Sequence, residues 1–421
     1  MHELPILVLL APRIASPEGA NIARGPEGDP VILGLSLIQR AVLAARRAGY
    51  RRVFLLEGNG RAPAGAAAIA NWRSLAASFP SSQPGPLILA PVAILAETDW
   101  LERLDSTRIE PAAWAAIPNR IVMLPAASAL AAVDALDIEG GPQALADVEG
   151  RLARRFGPPA RISADIDPMV VETPADIRAA ERRLLRSLVK DTDGFMARHV
   201  ERPISLQISR RLAGTAITPN QMSLISVAVG ICGGPFFLIQ RPLMQTIGAL
   251  LFLAHSILDG CDGELARLKF QQSRWGGVLD FWGDNVVHIV IFGCMAIGWS
   301  LSAGAIWPLG LGAAAVLGTL GSAGFVYWRL MRFKDGGDPL FTSVSASPER
   351  PLSRLLDAAS RRDFIYLVIL LALFGRSDWF LALAAIGAPI YFFLVLLAAR
   401  PQSSLKRLEG SGSGLAPDAN R

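Results

Sequence analysis

The sequence predicts two domains of different class. An α/β domain with a parallel sheet covers residues 1–185, and an all-α domain of six transmembrane helices covers residues 219–405. Three observations predict this. From Gln221 onward the chain contains six apolar runs, near the length of about 20 residues that a helix needs to cross a bilayer. Before residue 185, short apolar runs alternate with amphipathic helical stretches at the spacing of βαβ units. The whole chain of 421 residues is 52% hydrophobic and only 18% charged, with mean hydropathy +0.37, which is too apolar for an ordinary soluble protein.

In the first domain, Pro5–Ala11 reads as a buried strand, followed by a Gly/Pro-rich loop through Pro30. Ser36–Ala48 reads as an amphipathic helix ending at Gly49, and Arg52–Leu56 as the next strand. Further strands are expected at Pro86–Leu95 and Arg120–Leu124. After Asp165–Glu172, Thr173 caps a closing helix with Pro174 at its first position. The opening Met1-His-Glu-Leu-Pro5 lacks a basic region and its apolar run is short. No signal peptide is therefore expected, and the first domain is expected in the cytoplasm.

Residues 186–218 form the junction. Arg178–Val189 is helical and basic, and Leu206–Leu212 is short and amphipathic with Arg210 and Arg211 on its polar side. That pattern predicts a helix along the membrane surface with its arginines toward anionic headgroups. Thr218 then caps a helix with Pro219 at its first position.

The expected spans are 221–239, 243–258, 280–301, 305–328, 363–376 and 379–398. Arginines and lysines gather before the first span, between the second and third, between the fourth and fifth, and after the sixth. The opposite side carries only Arg241 and Arg376, so the positive-inside rule places both termini and the loop at residues 267–274 in the cytoplasm. A bacterial inner membrane is the expected location. The Gly/Ser/Pro-rich tail, residues 406–421, is expected to be disordered. The cysteines, Cys232, Cys261 and Cys294, have no CxxC spacing, so neither a disulfide framework nor a zinc site is implied.

The chemistry concentrates in Asp259-Gly-Cys-Asp-Gly-Glu-Leu-Ala-Arg267, continued by Gly276, Asp280 and Asp284. The pattern is D-x2-D-G-x2-A-R-x8-G-x3-D-x3-D. Carboxylates at the ends of apolar runs are costly unless compensated. Asp259 and Asp262 share one helical face, and Asp280 and Asp284 share another. Two such faces turned together converge four acids, which need a cation to remain ionised. Hard oxygen donors point to Mg²⁺, Mn²⁺ or Ca²⁺. Gly263 and Ala266 keep the helix face low, Gly276 leaves a gap one turn before Asp280, and Arg267 offers a fork for phosphate. Together these features describe phosphoryl transfer assisted by two metals. His255 and His288, one turn from motif carboxylates, are expected in the core or behind the ligands rather than among them.

Met at every position over residues 259–284, the pattern resembles the signature of the CDP-alcohol phosphotransferase family. The resemblance implies a membrane transferase that moves a substituted phosphate group from a CDP-alcohol to an acceptor alcohol and releases CMP. It implies two divalent cations, Mg²⁺ or Mn²⁺, on Asp259, Asp262, Asp280 and Asp284, with Asp284 taking the acceptor's proton. Thr218, Asn220, Gly263, Ala266, Arg267 and Ser273 would contact the CDP group. Lys190, Arg329, Arg361 and Arg362 are the candidates for a phosphate on the acceptor. Membrane lipids and a second copy of the chain are the further partners implied, and nucleic acid is not expected.

The first domain resembles the nucleotidyltransferase (Rossmann-like) fold in its opening strand-loop-helix, in Ala48-Gly-Tyr-Arg-Arg-Val-Phe54 and in Val171-Glu-Thr-Pro-Ala-Asp-Ile177. It departs from active members. The loop Ala11–Ala20 has two prolines and no glycine cluster, and Arg13 and Arg24 are its isolated cations. Only Glu97 and Asp99 stand near the acidic metal position. The domain is read as degenerate, with a regulatory or scaffolding role. Lys190–Asn220 resembles the junction in bifunctional inositol-phosphate cytidylyltransferase and di-inositol phosphate phosphate synthases, which extends the resemblance over nearly the whole chain.

That likeness favours CDP-inositol with an inositol phosphate acceptor, while the degenerate first domain makes CDP-diacylglycerol a competing donor. Two other classes share some of these features. A cation transporter would explain intramembrane aspartates, but not the accompanying Gly, Ala and Arg. A membrane-anchored nucleotidyltransferase would work through the first domain, against the loss of glycines from its loop.

Overall fold

The computed structural model describes residues 5–10, 29–50, 52–56, 62–78, 86–106, 114–137, 145–162, 166–190, 193–328 and 364–398. The chain divides into two compact units. One is Met1–Leu188 with Ala213–Thr215 and Leu268–Phe270, and the other holds the remainder from Val189.

The first unit is α/β. Its strands are β1 (Ile6–Leu10), β2 (Val31–Ile32), β3 (Leu35–Ser36), β4 (Arg52–Leu56), β5 (Ala67–Ile69), β6 (Leu87–Pro91), β7 (Ile94–Leu95), β8 (Ala115–Ile117), β9 (Ile121–Leu124), β10 (Ala160–Arg161) and β11 (Met169–Val170). The main sheet has the order β10-β8-β9-β6-β1-β4-β5. The four strands β6-β1-β4-β5 run parallel, with Val8 opposite Phe54 and Leu89. β9 is antiparallel to both its neighbours, so the sheet is mixed rather than all parallel. Every residue of β1 is buried, as an unbroken apolar strand covered on both faces must be. Leu7 and Leu9 face one core with Ile38, Ala41 and Val42. Ile6, Val8 and Leu10 face the other, with Ala129, Val133 and Leu152. Alternation along one strand thus builds a three-layer domain.

The helices of this unit are α1 (Leu37–Arg47), α2 (Trp72–Ala77), α3 (Thr98–Ser106), α4 (Ala126–Asp137), α5 (Leu145–Phe156) and α6 (Pro174–Arg186). α1 opens on a capping box between Ser36 and Gln39, and α6 on one between Thr173 and Asp176. The expected strand Pro86–Leu95 is two strands, β6 and β7, because the chain turns between Pro91 and Ile94. Glu97 is occupied in an ion pair with Arg183 at 2.7 Å. Arg13 and Arg24 lie outside the described residues.

The second unit is helical. A π-helical turn, Ala197–Glu201, leads into α7 (Arg202–Leu212). Then come α8 (Pro219–Gly233), α9 (Pro242–Leu268), α10 (Arg274–Ala303) and α11 (Trp307–Val326), followed by the helices Phe364–Leu373 and Ser377–Ala398. Five described helical stretches are long and apolar enough to cross a membrane: Pro219–Leu238, Pro242–Leu268, Arg274–Ala303, Trp307–Val326 and Ser377–Leu397. The expected fifth span is represented by Phe364–Leu373, which at 10 residues is shorter than a crossing helix.

Small residues let these helices approach closely. A Cβ on Gly283 would stand 2.5 Å from Val227, and one on Gly318 would stand 2.6 Å from the Ala388–Pro389 peptide. Leu224, Leu317 and Ile386 point outward and exposed, as lipid-facing side chains do.

α7 does not present all its polar groups outward. Its Ser205 and Ser209 are buried, as is Glu201 in the π-helical turn before it, and they pack on α9 around Ser256, Gly260 and Cys261. Arg210 and Arg211 stay exposed.

Candidate functional site

The site is assembled by α8, α9 and α10. The apolar run of α9 ends near residue 258, yet the helix continues to Leu268, so Asp259 through Arg267 are helical throughout. α10 begins at Arg274, six residues before Asp280, so Gly276, Asp280 and Asp284 lie along one face of its first turns.

Asp259, Asp280 and Asp284 each offer a carboxylate oxygen, and these atoms all lie within 4.8 Å of one another. Asp259 is 6% exposed. Three hard, anionic donors at that separation fit one hard divalent cation. Asp262 is used differently. Its carboxylate, 7% exposed, accepts the hydroxyl of Ser223 on α8.

Three of the candidate CDP contacts, Thr218, Asn220 and Ser273, lie at two helix starts. Thr218 caps α8 by accepting from the Gln221 N–H at 3.3 Å, and Gln221 returns the bond to the Thr218 N–H at 2.9 Å. Ser273 caps α10 by accepting from the Gly276 N–H at 3.0 Å. The two starts abut: a Cβ on Gly276 would stand 3.0 Å from Asn220 Oδ1 and 3.1 Å from Ser273 Oγ. A side chain at Gly276 would therefore crowd the ends of the Asn220 and Ser273 side chains, which would have to shift. Thr218, Asn220 and Ser273 are exposed, open to a ligand, and both helix starts favour an anion.

Arg267 folds back over its own helix, since a Cβ on Gly263 would meet Arg267 Nη1 at 3.3 Å. Its Nε is buried with no hydrogen bond, a donor waiting for an acceptor. Ala266 is half-buried beside it and its carbonyl accepts from the Gln271 N–H at 2.9 Å. Lys190 is exposed, and Arg267, Arg202, Asp193 and Asp280 are the charges that act on its ammonium. Arg329, Arg361 and Arg362 lie outside the described residues.

Sequence reasoning left Ser223, Arg202, Asp193 and Glu264 out of the site. Ser223 carried no local signal. Glu264 did, as a further acid inside an otherwise apolar helix, which demands a partner.

The second unit is thus a helical domain with membrane-length apolar helices and a cluster of three carboxylates. Residues 216–388 match the family model described as CDP-alcohol phosphatidyltransferase. A bifunctional IPC transferase and DIPP synthase of Thermococcus kodakarensis is 42% identical over 118 residues, 28% of this chain and 26% of that protein. A protein of the same description from Rubrobacter xylanophilus is 39% identical over 148 residues, 35% of this chain and 33% of that one. The chain thus spans about a quarter to a third of the length of these relatives. A crystal structure of Mycobacterium tuberculosis phosphatidylinositol phosphate synthase with CDP-DAG bound shares 18% identity and covers 47% of this chain and 93% of its own, with a TM-score of 0.34.

Proposed function

We propose that the protein transfers a substituted phosphate group from a CDP-alcohol to an acceptor hydroxyl and releases CMP, working at the cytoplasmic face of a membrane. The observation that carries this reading is the meeting of Asp259, Asp280 and Asp284 within 4.8 Å, inside the stretch that matches the family. Asp259, Asp280 and Asp284 would hold a divalent cation, Mg²⁺ or Mn²⁺, and Asp262 would complete a two-metal set. When bound, such ions neutralise the diphosphate and stabilise the charge of the displacement.

The chain's own residues do the rest. Arg267 meets the phosphate with its unsatisfied Nε, and the starts of α8 and α10 add Thr218, Asn220 and Ser273 on the nucleotide side. Gly263 keeps space for the Arg267 fork, and Ala266 keeps the adjoining surface low. Asp284 takes the proton of the attacking hydroxyl, in concert with attack because a carboxylate beside cations is a weak base. Lys190, with Arg329, Arg361 and Arg362, is assigned to a phosphate on the acceptor. The first domain serves as a scaffold or regulator.

CDP-inositol as donor and an inositol phosphate as acceptor are the favoured substrates, supported by the relatives named IPC transferase and DIPP synthase. CDP-diacylglycerol is the second donor, favoured by the departures in the first domain. The test is CMP release by the purified protein in detergent with Mg²⁺ or Mn²⁺. Each donor is offered with inositol phosphate, glycerol phosphate or serine. CMP release with CDP-inositol alone supports the first assignment and release with the lipid donor supports the second. No release from either donor would overturn the transferase reading.

A further inference from the structure

A chain of buried charge ties the segment before α7 to the middle of the aspartate motif. Asp193 accepts the backbone N–H of Lys190 at 3.0 Å, and the Asp193 N–H returns a bond to the Lys190 carbonyl at 3.1 Å. The turn that carries Lys190 is closed by this exchange. The same carboxylate takes the Arg202 guanidinium side-on, Nε to Oδ2 at 2.9 Å and Nη2 to Oδ1 at 3.0 Å. The remaining nitrogen, Nη1, donates to Glu264 Oε1 at 2.8 Å, and Ser205 Oγ donates to that same oxygen at 2.7 Å.

Glu264 is fully buried, and the side chains of Arg202 and Asp193 are only 15% and 10% exposed, so solvent and salt screen these pairs little. Glu264 sits between Gly263 and Ala266, at a position where the motif pattern specifies no residue. Arg267 lies three residues further on and feels the charges of Arg202, Glu264 and Asp193, and Arg267 and Arg202 act on Lys190 in turn. Lys190 and Arg267 are like charges on different elements, and left alone they would separate. Asp193 closes on the Lys190 backbone, and Glu264 lies about one turn before Arg267 on α9. Arg202, bonded to both carboxylates, therefore ties together the two elements that carry these cations, which preorganises a cationic grip for phosphate.

We propose that Arg202, clamped between Asp193 and Glu264, is a positioning residue that sets Lys190 and Arg267 beside the aspartate cluster. The inference rests on the transferase reading and extends it to a residue that touches no substrate.

Removing one charge leaves its partners buried and unpaired and endangers folding. The test therefore uses the full chain with Asp193→Asn, Arg202→Met and Glu264→Leu combined, which removes all three charges together, alongside Arg202→Lys alone. The combined variant is expected to unfold near the wild-type temperature while the KM for the phosphate-bearing acceptor or the donor rises about tenfold or more. Its kcat should stay within about threefold of wild type. Arg202→Lys, which keeps the charge and loses the fork, is expected to fall between. A folded combined variant with wild-type KM values overturns the proposal. Should the wild type release no CMP from any donor, the transferase reading fails, and the tie is read by amine acylation of Lys190 instead. Faster labelling of Lys190 in the combined variant than in wild type supports the tie, and equal labelling overturns it.

Discussion

His255 Nε2 lies 3.3 Å from Asp284 Oδ1, while its Nδ1 meets the Ser226 carbonyl at 2.9 Å. A carbonyl only accepts, so Nδ1 carries a proton and the ring is fixed with Nε2 toward the carboxylate. The ring is 2% exposed, and no solvent competes for it. His288 adds a second restraint, its Nδ1 donating to the Asp284 backbone carbonyl at 2.7 Å among the rings of Phe252, Phe292 and Phe364. His255 thus packs against the Asp284 carboxylate and His288 against its backbone carbonyl. If Asp284 holds a metal as proposed, removing such a partner costs about 10–100-fold in affinity or activity. His255→Phe is expected to lose that much in Mn²⁺ affinity, followed by paramagnetic resonance titration, or in turnover. Wild-type values for both would take His255 out of the site.

Asp284→Asn keeps the side-chain volume and removes the carboxylate proposed as the base. Loss of a positioned general base costs about 10²–10⁴-fold in turnover. The variant is expected to lose that much kcat while still binding CMP, measured by calorimetry. Retained turnover would remove Asp284 from the role of base.

Two glycines of α11 make opposite predictions for stability. A methyl on Gly318 would stand 2.6 Å from the Ala388 carbonyl carbon and the Pro389 nitrogen, both backbone atoms that cannot rotate away. Gly318→Ala is expected to destabilise the protein by about 1–3 kcal/mol. Nothing lies within 4 Å of a Cβ on Gly310, and Gly310→Ala should gain up to about 1 kcal/mol from helix propensity. Thermal unfolding in detergent reads both, and equal shifts would contradict this packing of α11 on the helix Ser377–Ala398.

The Asp193 carboxylate gives a pH dependence of defined sign. Burial acts against its charge, but the Arg202 hydrogen bond and charge and the Lys190 N–H hold it below the ordinary value of 3.8. A carboxyl lowered in the folded state stabilises fully above its unfolded value, and that contribution is lost as the pH falls through the folded one. The unfolding temperature of wild type should therefore drop more steeply below pH 3.8 than that of Asp193→Asn. Parallel curves would show that the Arg202–Asp193 pair adds nothing to stability.

Much of the site is legible because its signals are local. Thr218 and Ser273 cap helices through N–H groups three residues away, and Asp280 and Asp284 share a face because four residues make about one turn. The run of apolar segments likewise declared a membrane protein, since a bilayer sets a minimum length that a sequence either meets or does not. The aspartate pattern, residues 259–284, lies inside the stretch that matches the family model, and it is legible because metal and phosphate chemistry restricts residue type and spacing together.

Tertiary structure decided which of these acids meet. Four aspartates are equivalent on paper, but in the packed bundle Asp259, Asp280 and Asp284 bring carboxylate oxygens within 4.8 Å of one another while Asp262 accepts the Ser223 hydroxyl. Arg202 and Glu264 are 62 residues apart in the chain, and nothing local couples them. Local hydrogen bonding and hydrophobic periodicity fix the helices and their apolar faces. The partner of each buried charge depends on how those helices rotate and cross when packed, and that is settled only when the whole bundle forms.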